Sequence, residues 1–360
     1  MSETSETSTT SDAHANVTSE VRPAHVFDVR ALQAYLERHV EGFRGTLTVR
    51  QFVGGQSNPT FLLAAGGREY VMRKKPPGKL LASAHQVDRE YRVISALAQT
   101  DVPVARAYVL CEDDAVIGSA FYVMEYVRGR IFRDPQLPGM APAERAAIYD
   151  DMNDVLARLH RVDYRAVGLG EFGKPGNYFD RQIGRWTKQY EAAKTDDVET
   201  MDNLIVWLPT HIPPGDDTTI AHGDFRLENS IYHPTEPRMI ALLDWELSTL
   251  GHPLADLAYN CMLYHVNSPT QGTLMGLAYD EIGIPSERDY VDAYCRRTGR
   301  AGVDHWEFYV AFALFRLASI AQGVYKRGLD GNASSTQASM YGAVCAFLSQ
   351  TAWAMVAPHA

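Results

Sequence analysis

The 360-residue chain has only four cysteines, Cys111, Cys261, Cys295 and Cys345, far apart and set in apolar or helical-looking sequence. That excludes a disulfide framework and C-x-x-C metal spacing, and it reads as cytosolic thiols. Cations are in the minority: 34 Lys and Arg against 44 Asp and Glu give a formal charge of -10. An acidic balance argues against a nucleic-acid or anionic-membrane surface, because both reward clustered Lys and Arg. No apolar run approaches the length of a membrane span. The opening MSETSETSTTSDAHANVTSE has neither a basic region nor an apolar stretch, so no secretory signal is expected. The expectation is a cytoplasmic protein with no nucleic-acid or membrane partner.

What is present falls into two patterns. Residues 1–22 are rich in Ser, Thr and Glu and cannot repay the entropy of ordering, so a disordered tail is expected there. Residues 23–127 read as a strand-rich lobe. A helix from Asp28 to Val40 repeats Leu32, Leu36 and Val40 at four-residue spacing, with Asp28 as its cap. TLTVRQFV, TFLLAA and REYVMR follow as antiparallel strands, then ARAYVLC and AFYVMEYV across EDDAVIGS. One long helix, about Ala84 to Ala98, is inserted among them; Ser83 and Gln86 fit a capping box, and Val87, Tyr91, Ile94 and Ala98 line its inner face. Residues 128–360 are mainly helical, with helices through Ile148–Leu159, Tyr178–Ala193, Met201–Leu208, Glu287–Arg297, His305–Tyr325 and Gln337–Met355. A β-like island, TTIAHGDFRLENSIYH with RMIALLDWE, interrupts them. Length and pattern together predict an α+β chain of two lobes, an antiparallel sheet lobe and a larger helical one.

The strongest local signal is His222-Gly223-Asp224-Phe225-Arg226-Leu227-Glu228-Asn229, with Asp244 fifteen residues after Asn229. Phosphoryl transfer needs an acceptor hydroxyl held in line and a divalent metal that neutralises the phosphates. Asp224 can take the hydroxyl proton, while Asn229 and Asp244 offer the hard oxygen donors that Mg²⁺ prefers. Arg226 is a permanent cation able to reach the transferring group. Glu246 either assists the metal through water or orients its neighbours. Any one of these alone reads as a turn cap or a strand end; the spacing H-x-D-x-x-x-x-N followed by a strand-borne Asp is what favours chemistry.

Arg73 ends an apolar strand and Glu90 sits at the edge of the inner face of the helix that follows. They read either as a pair that aims a guanidinium at nucleotide phosphates or as a plain surface ion pair. The turn Gly54-Gly55-Gln56-Ser57-Asn58 can lay backbone N–H groups over phosphates, although it is neither G-x-G-x-x-G nor a P-loop, and Asn58 and Thr60 also read as a hairpin end. Met124-Glu125-Tyr126-Val127 joins the two lobes, either as an adenine-binding strand or as an ordinary linker.

Together, FVGGQSNPTFLL, YVMRKKPPGKLLASAHQVDREYRVISAL, FYVMEYVRGR, KPGNYFDRQIGRWTKQY and AHGDFRLENSIYH with ALLDWELSTLGHPLADLAY resemble the aminoglycoside phosphotransferase and choline kinase superfamily. More closely, they are similar to the phosphotransferase domain of certain acyl-CoA dehydrogenase fusion proteins. The resemblance runs from about residue 27 to the C-terminal helices. It implies a protein-kinase-like fold and a small-molecule kinase that uses ATP, with GTP as the alternative, and Mg²⁺. In this chain it implies Asp224 as base, Asn229 and Asp244 as magnesium ligands, Arg73 as phosphate cation oriented by Glu90, and a hinge at Glu125, Tyr126 and Val127. It further implies that His222 and Asp256 support the catalytic loop; Asp256 also reads as a helix N-terminal carboxylate. His160 is read as packing. Arg73 in place of Lys, Trp245-Glu246 in place of Phe-Gly, and the lack of an A-P-E segment argue against a protein substrate.

For the acceptor, Tyr178, Arg181, Gln182, Arg185 and Trp186 repeat at three-to-four spacing, and Glu246 lies two residues past Asp244. This face suits an acidic or nucleotide-bearing small-molecule hydroxyl acceptor, or it is a solvated basic helix packed through Trp186. Its sign is wrong for a polycationic aminoglycoside. A hydroxyacyl-type acceptor follows from the resemblance alone. Tyr259, Tyr264, Trp306 and Tyr309, the aromatics available for a choline-type cage, are explained by helical periodicity as core. The readings to be separated are this kinase, a catalytically idle kinase-like nucleotide-binding protein, and a protein kinase, as a monomer or homodimer.

Overall fold

The computed structural model describes residues 17–53, 58–76, 86–268, 272–330 and 340–359. The chain divides into two compact units, Met1–Arg133 with Leu227–Glu246, and Asp134–Arg226 with Leu247–Ala360.

The first unit is built on an antiparallel sheet of six strands in the order β1-β2-β3-β4-β6-β5. In chain order its elements are β1 (Thr18–Ser19), α1 (Val29–His39), β2 (Thr48–Phe52), β3 (Thr60–Ala65), β4 (Arg68–Lys74), α2 (Val87–Leu97), β5 (Ala107–Cys111), α3 (Asp114–Ile117) and β6 (Phe121–Glu125). Strand β3 buries alternate residues, turning Phe61, Leu63 and Ala65 inward. On that face they meet Leu32 and Leu36 of α1, whose first turn is held by Asp28 accepting from the amides of Arg30 and Ala31. The tail expected over residues 1–22 is partly structured: Thr18 and Ser19 pair with Phe52 and Gln51, and the Arg22 amide donates to the Gln51 side chain. Helix α2 begins at Val87 with Gln86 as an N-cap that makes no side-chain bond, so the capping box is not formed by Gln86; Ser83 lies outside the described residues.

The lobe junction expected at Val127 is displaced. The chain stays with the first unit to Arg133, because Arg130 and Tyr232 exchange backbone hydrogen bonds of 2.8 Å in both directions. Tyr232 ends β8 (Ser230–Tyr232), which forms a hairpin with β9 (Met239–Leu242). Half of the predicted β island therefore belongs to the sheet unit. The approach is close at Gly129, where a Cβ would stand 2.2 Å from the Tyr232 carbonyl oxygen.

The second unit is mainly helical: α4 (Pro142–Arg161), α5 (Tyr178–Ala193), α6 (Glu199–Thr210), α7 (Pro253–Cys261), α8 (Tyr279–Ile282), α9 (Glu287–Thr298), α10 (Trp306–Leu329) and α11 (Tyr341–Val356). The other half of the island, β7 (Thr219–Ala221) and β10 (Thr249–Gly251), pairs antiparallel within it. Helix α7 has no place in the periodicity reading; Pro253 at its first position and His252 as its cap announce it locally. Contrary to the expectation from apolar runs, α10 is long and apolar enough to cross a membrane by length and composition. Most of it is buried against α5, α7 and α11, which explains an all-round apolar sequence in a core helix.

Candidate active site

In the first unit the site begins with Arg73 near the end of β4. Its Nε lies 3.2 Å from Glu90 Oε2, its Nη1 3.2 Å from Asp244 Oδ1 and its Nη2 3.8 Å from Glu246 Oε2. The Glu90 contact is an ion pair rather than an aligned hydrogen bond. Glu90 is 1% exposed and occupies the middle of the buried face of α2 with Val87, Val93, Ile94 and Leu97. The expected edge position, and the alternative of a surface ion pair, are thereby corrected; Ala98 is exposed. Glu90 also accepts from Asn58 Nδ2 at 2.8 Å and from the Tyr122 hydroxyl at 3.0 Å. Burial pulls the Arg73 guanidinium down, but Glu90, then Tyr122, Asp244 and Glu246, outweigh it and hold its pKa above the ordinary value. Burial pushes the Glu90 carboxyl up, against Arg73 and the two hydrogen bonds. A buried carboxylate with three partners is a rigid mount for a cation.

Asn229 and Asp244 stand at matching ends of the β8–β9 hairpin. Ser230 is paired with Leu242, and the Leu243 amide donates to the Asn229 carbonyl at 2.8 Å. Asn229 is buried, whereas the Asp244 side chain is 36% exposed. Asp244 has φ 61°, a left-handed conformation that Asp tolerates better than most residues and that recurs at functional turns. No cluster of three or more His, Cys, Asp or Glu able to hold a metal occurs among the described residues. One amide and one carboxylate fit Mg²⁺ all the same, because it retains waters and substrate phosphates and takes few protein ligands. Glu246, considered above for acceptor or metal, is paired with Arg73. Gly54, Gly55 and Ser57 lie outside the described residues, and the Asn58 amide is turned to Glu90. Glu125 ends β6, its amide donating to the Arg106 carbonyl at 2.8 Å; Tyr126 stacks on Phe52 at 6.4 Å. Val127 follows within the same unit.

In the second unit the loop bearing Asp224 leaves β7 and is held by a set of backbone and side-chain hydrogen bonds. Asp256 of α7, 1% exposed, accepts the amides of His222 at 2.6 Å and Gly223 at 2.9 Å. Burial pushes the Asp256 carboxyl up, but His160, His222 and the Gly223 amide outweigh it and hold it below the usual carboxylate range. His160, expected to be packing, lies 3.4 Å from Asp256 through Nε2 and 2.7 Å from the Tyr294 hydroxyl through Nδ1. Gly223 has φ 83°, and a Cβ there would meet the Leu247 carbonyl oxygen at 2.7 Å. The Gly223 carbonyl accepts from Arg316 Nη2 at 2.7 Å, the Asp224 amide donates to His222 Nδ1 at 3.2 Å, and the Phe225 carbonyl accepts from Asn260 at 3.3 Å. The Asp224 carboxylate accepts the Tyr259 hydroxyl at 2.6 Å and lies 3.3 Å from Arg226 Nε. Sequence reasoning weighed Tyr259 only as a cage aromatic or core residue, and passed over Asn260 and Arg316. Tyr259 and Asn260 lie on α7, which the periodicity reading did not contain, and of the three only Arg316, a charge in the apolar middle of α10, carried a signal.

The expected acceptor face is split. Tyr178 and Trp186 are buried, Arg181 and Gln182 half-buried and Arg185 exposed. Arg181 Nη2 donates to the Lys174 carbonyl at 2.6 Å and Arg185 lies over the Trp186 ring at 5.3 Å. Burial pushes the Tyr178 phenol up, and the charges of Arg316, Arg185 and Arg181 act against it.

A family model described as "Phosphotransferase enzyme family" matches residues 48–306. Acyl-CoA dehydrogenase family member 10 of Mus musculus is 47% identical over 328 residues, covering 89% of this chain and 31% of that protein. The chain thus spans about a third of that relative. A crystal structure of a candidate aminoglycoside phosphotransferase from Ralstonia eutropha JMP134 is 52% identical with a TM-score of 0.86, covering 92% of this chain and 99% of the other. The aminoglycoside phosphotransferase APH(4)-Ia, in a ternary complex with ADP and hygromycin B, has a TM-score of 0.57 at 14% identity over 89% of this chain and 97% of the other, and shares the kinase-like fold.

Proposed function

Because the chain belongs to the phosphotransferase enzyme family, we propose that it is a small-molecule kinase transferring the γ-phosphate of ATP to a hydroxyl group. The observation that carries this reading is the pairing of Arg73 with the buried Glu90, in which the same guanidinium also reaches Asp244 and Glu246. A cation so mounted is suited to nucleotide phosphates, and a core has little reason to retain it otherwise. That a fold neighbour holds ADP supports a nucleotide donor; GTP is the alternative.

In the proposed reaction the acceptor oxygen bonds to the γ-phosphorus while the bond from that phosphorus to the bridging oxygen breaks and the nucleoside diphosphate leaves. The hydroxyl proton passes to the Asp224 carboxylate. Arg73 orients the phosphates and Arg226 offsets charge on the transferring group. Asn229 and Asp244 would hold Mg²⁺, which when bound supplies charge neutralisation at the phosphates. Arg181 and Arg185 favour an acidic acceptor, and the similarity to acyl-CoA dehydrogenase fusion proteins favours a hydroxyacyl type. Four buried free thiols suit the cytoplasm.

The test is transfer of label from Mg-[γ-³²P]ATP across a panel of acidic and hydroxyacyl metabolites. D224N and D244N are expected to lose about 10²-fold or more of wild-type transfer. Full activity in either variant sinks the reading. Label on protein instead marks a protein kinase, and calorimetry without Mg-ATP binding marks an idle nucleotide-site relic.

A further inference from the structure

Asp224 is gripped from behind by a stack of side chains on three helices. Tyr259 on α7 donates its hydroxyl to Asp224 Oδ1 at 2.6 Å, a short charge-assisted bond. The Tyr259 ring is covered by the Arg316 guanidinium of α10 at 5.3 Å, and the same guanidinium lies 5.5 Å from the Trp186 ring of α5. Arg316 Nη2 meanwhile donates to the Gly223 carbonyl, one residue before the base. Tyr259 and Arg316 are each 7% exposed, so neither is held by solvent. Burial, and then the Asp224 charge, push the Tyr259 phenol above its ordinary value, which keeps it a donor.

We infer that Tyr259 is a positioning residue for the proposed phosphoryl transfer: its hydroxyl fixes the orientation of the Asp224 carboxylate, and Arg316 fixes Tyr259. A carboxylate otherwise rotates about its last torsion at little cost, so an unanchored base spends part of its time misaligned with the acceptor hydroxyl. The short bond to Oδ1, beside the looser 3.3 Å Arg226 pair on the same oxygen, restricts that freedom before any substrate arrives, and misplacement by about 1 Å is enough to cost on the order of 10²-fold in rate. Arg316 links the two restraints, because it holds the loop backbone at Gly223 and the ring of Tyr259 with one planar group.

This inference rests on the assignment of Asp224 as base, and a double-mutant cycle separates the two. Phosphate release from Mg-[γ-³²P]ATP, with water standing in for the acceptor, is measured for wild type, Y259F, D224N and the double variant, beside crystal structures of wild type and Y259F. Phenylalanine keeps the ring under Arg316, so folding is retained. Y259F is expected to lower kcat about tenfold with KM for Mg-ATP unchanged, and to have less than a twofold effect in the D224N background. In the crystal, the Asp224 carboxylate of Y259F should be rotated or split over two orientations. An equal loss in both backgrounds shows a general structural effect and overturns the inference, as does a carboxylate that stays in place. If D224N itself retains wild-type release, it is the base assignment that falls.

Discussion

At the scale of single residues, the proposed chemistry rests on charges paired within the protein. Glu90 is buried and the Arg73 side chain is 12% exposed, and the pair is completed by Asn58, Tyr122, Asp244 and Glu246. Removing the carboxylate leaves a desolvated guanidinium short of its main counter-charge. E90A is therefore expected to cost on the order of 3 kcal/mol in urea unfolding. Y122F should cost only about 1 kcal/mol, since Glu90 keeps its other two partners. Equal losses in the two variants would show that Arg73 is held by something else.

Within the elements, two short stretches position candidate residues, one in each unit. One is the β8–β9 hairpin, which sets Asn229 and Asp244 side by side and is pinned to the chain at Gly129. A methyl group there would overlap the Tyr232 carbonyl, so G129A should destabilise by about 1–3 kcal/mol and reduce Mg-nucleotide affinity in calorimetry. The other is α7, whose first turn is capped by His252 accepting from the Leu254 amide at 3.3 Å. Burial lowers the His252 pKa from 6.5 to about 4. Between those values the unfolded chain takes up a proton that the folded chain refuses. The stabilisation is therefore complete above about pH 6.5 and is lost as pH falls toward 4, by an amount on the order of 3 kcal/mol. H252N supplies a capping acceptor, the Asn Oδ1, without the titration, so its unfolding free energy should vary less across that window than that of wild type.

For the molecule as a whole, the expected ligand linkage is a stability effect. Mg-ATP at about 100 times its Kd should add about 2.7 kcal/mol and raise the thermal midpoint by a few degrees. Chelation by EDTA, or the R73A substitution, should remove most of that shift in a melting experiment. A shift undiminished in R73A would remove the cation from the nucleotide site.

Much of this was legible in the linear chain. The β-like runs TFLLAA and REYVMR about a short turn gave the hairpin, apolar repeats at helical spacing gave α1 and α4, and H-x-D-x-x-x-x-N with a later strand-borne Asp marked the loop proposed to carry the chemistry. Such features are written locally, in side-chain period and turn residues. Tertiary structure alone decided that residues 227–246 return to the sheet unit, that Glu90 is central to a buried face, and that Tyr259, Asn260 and Arg316 brace the loop around Asp224. Those contacts join residues tens of positions apart, and a tyrosine on an apolar helix has the same local signature whether it fills a core or holds a carboxylate.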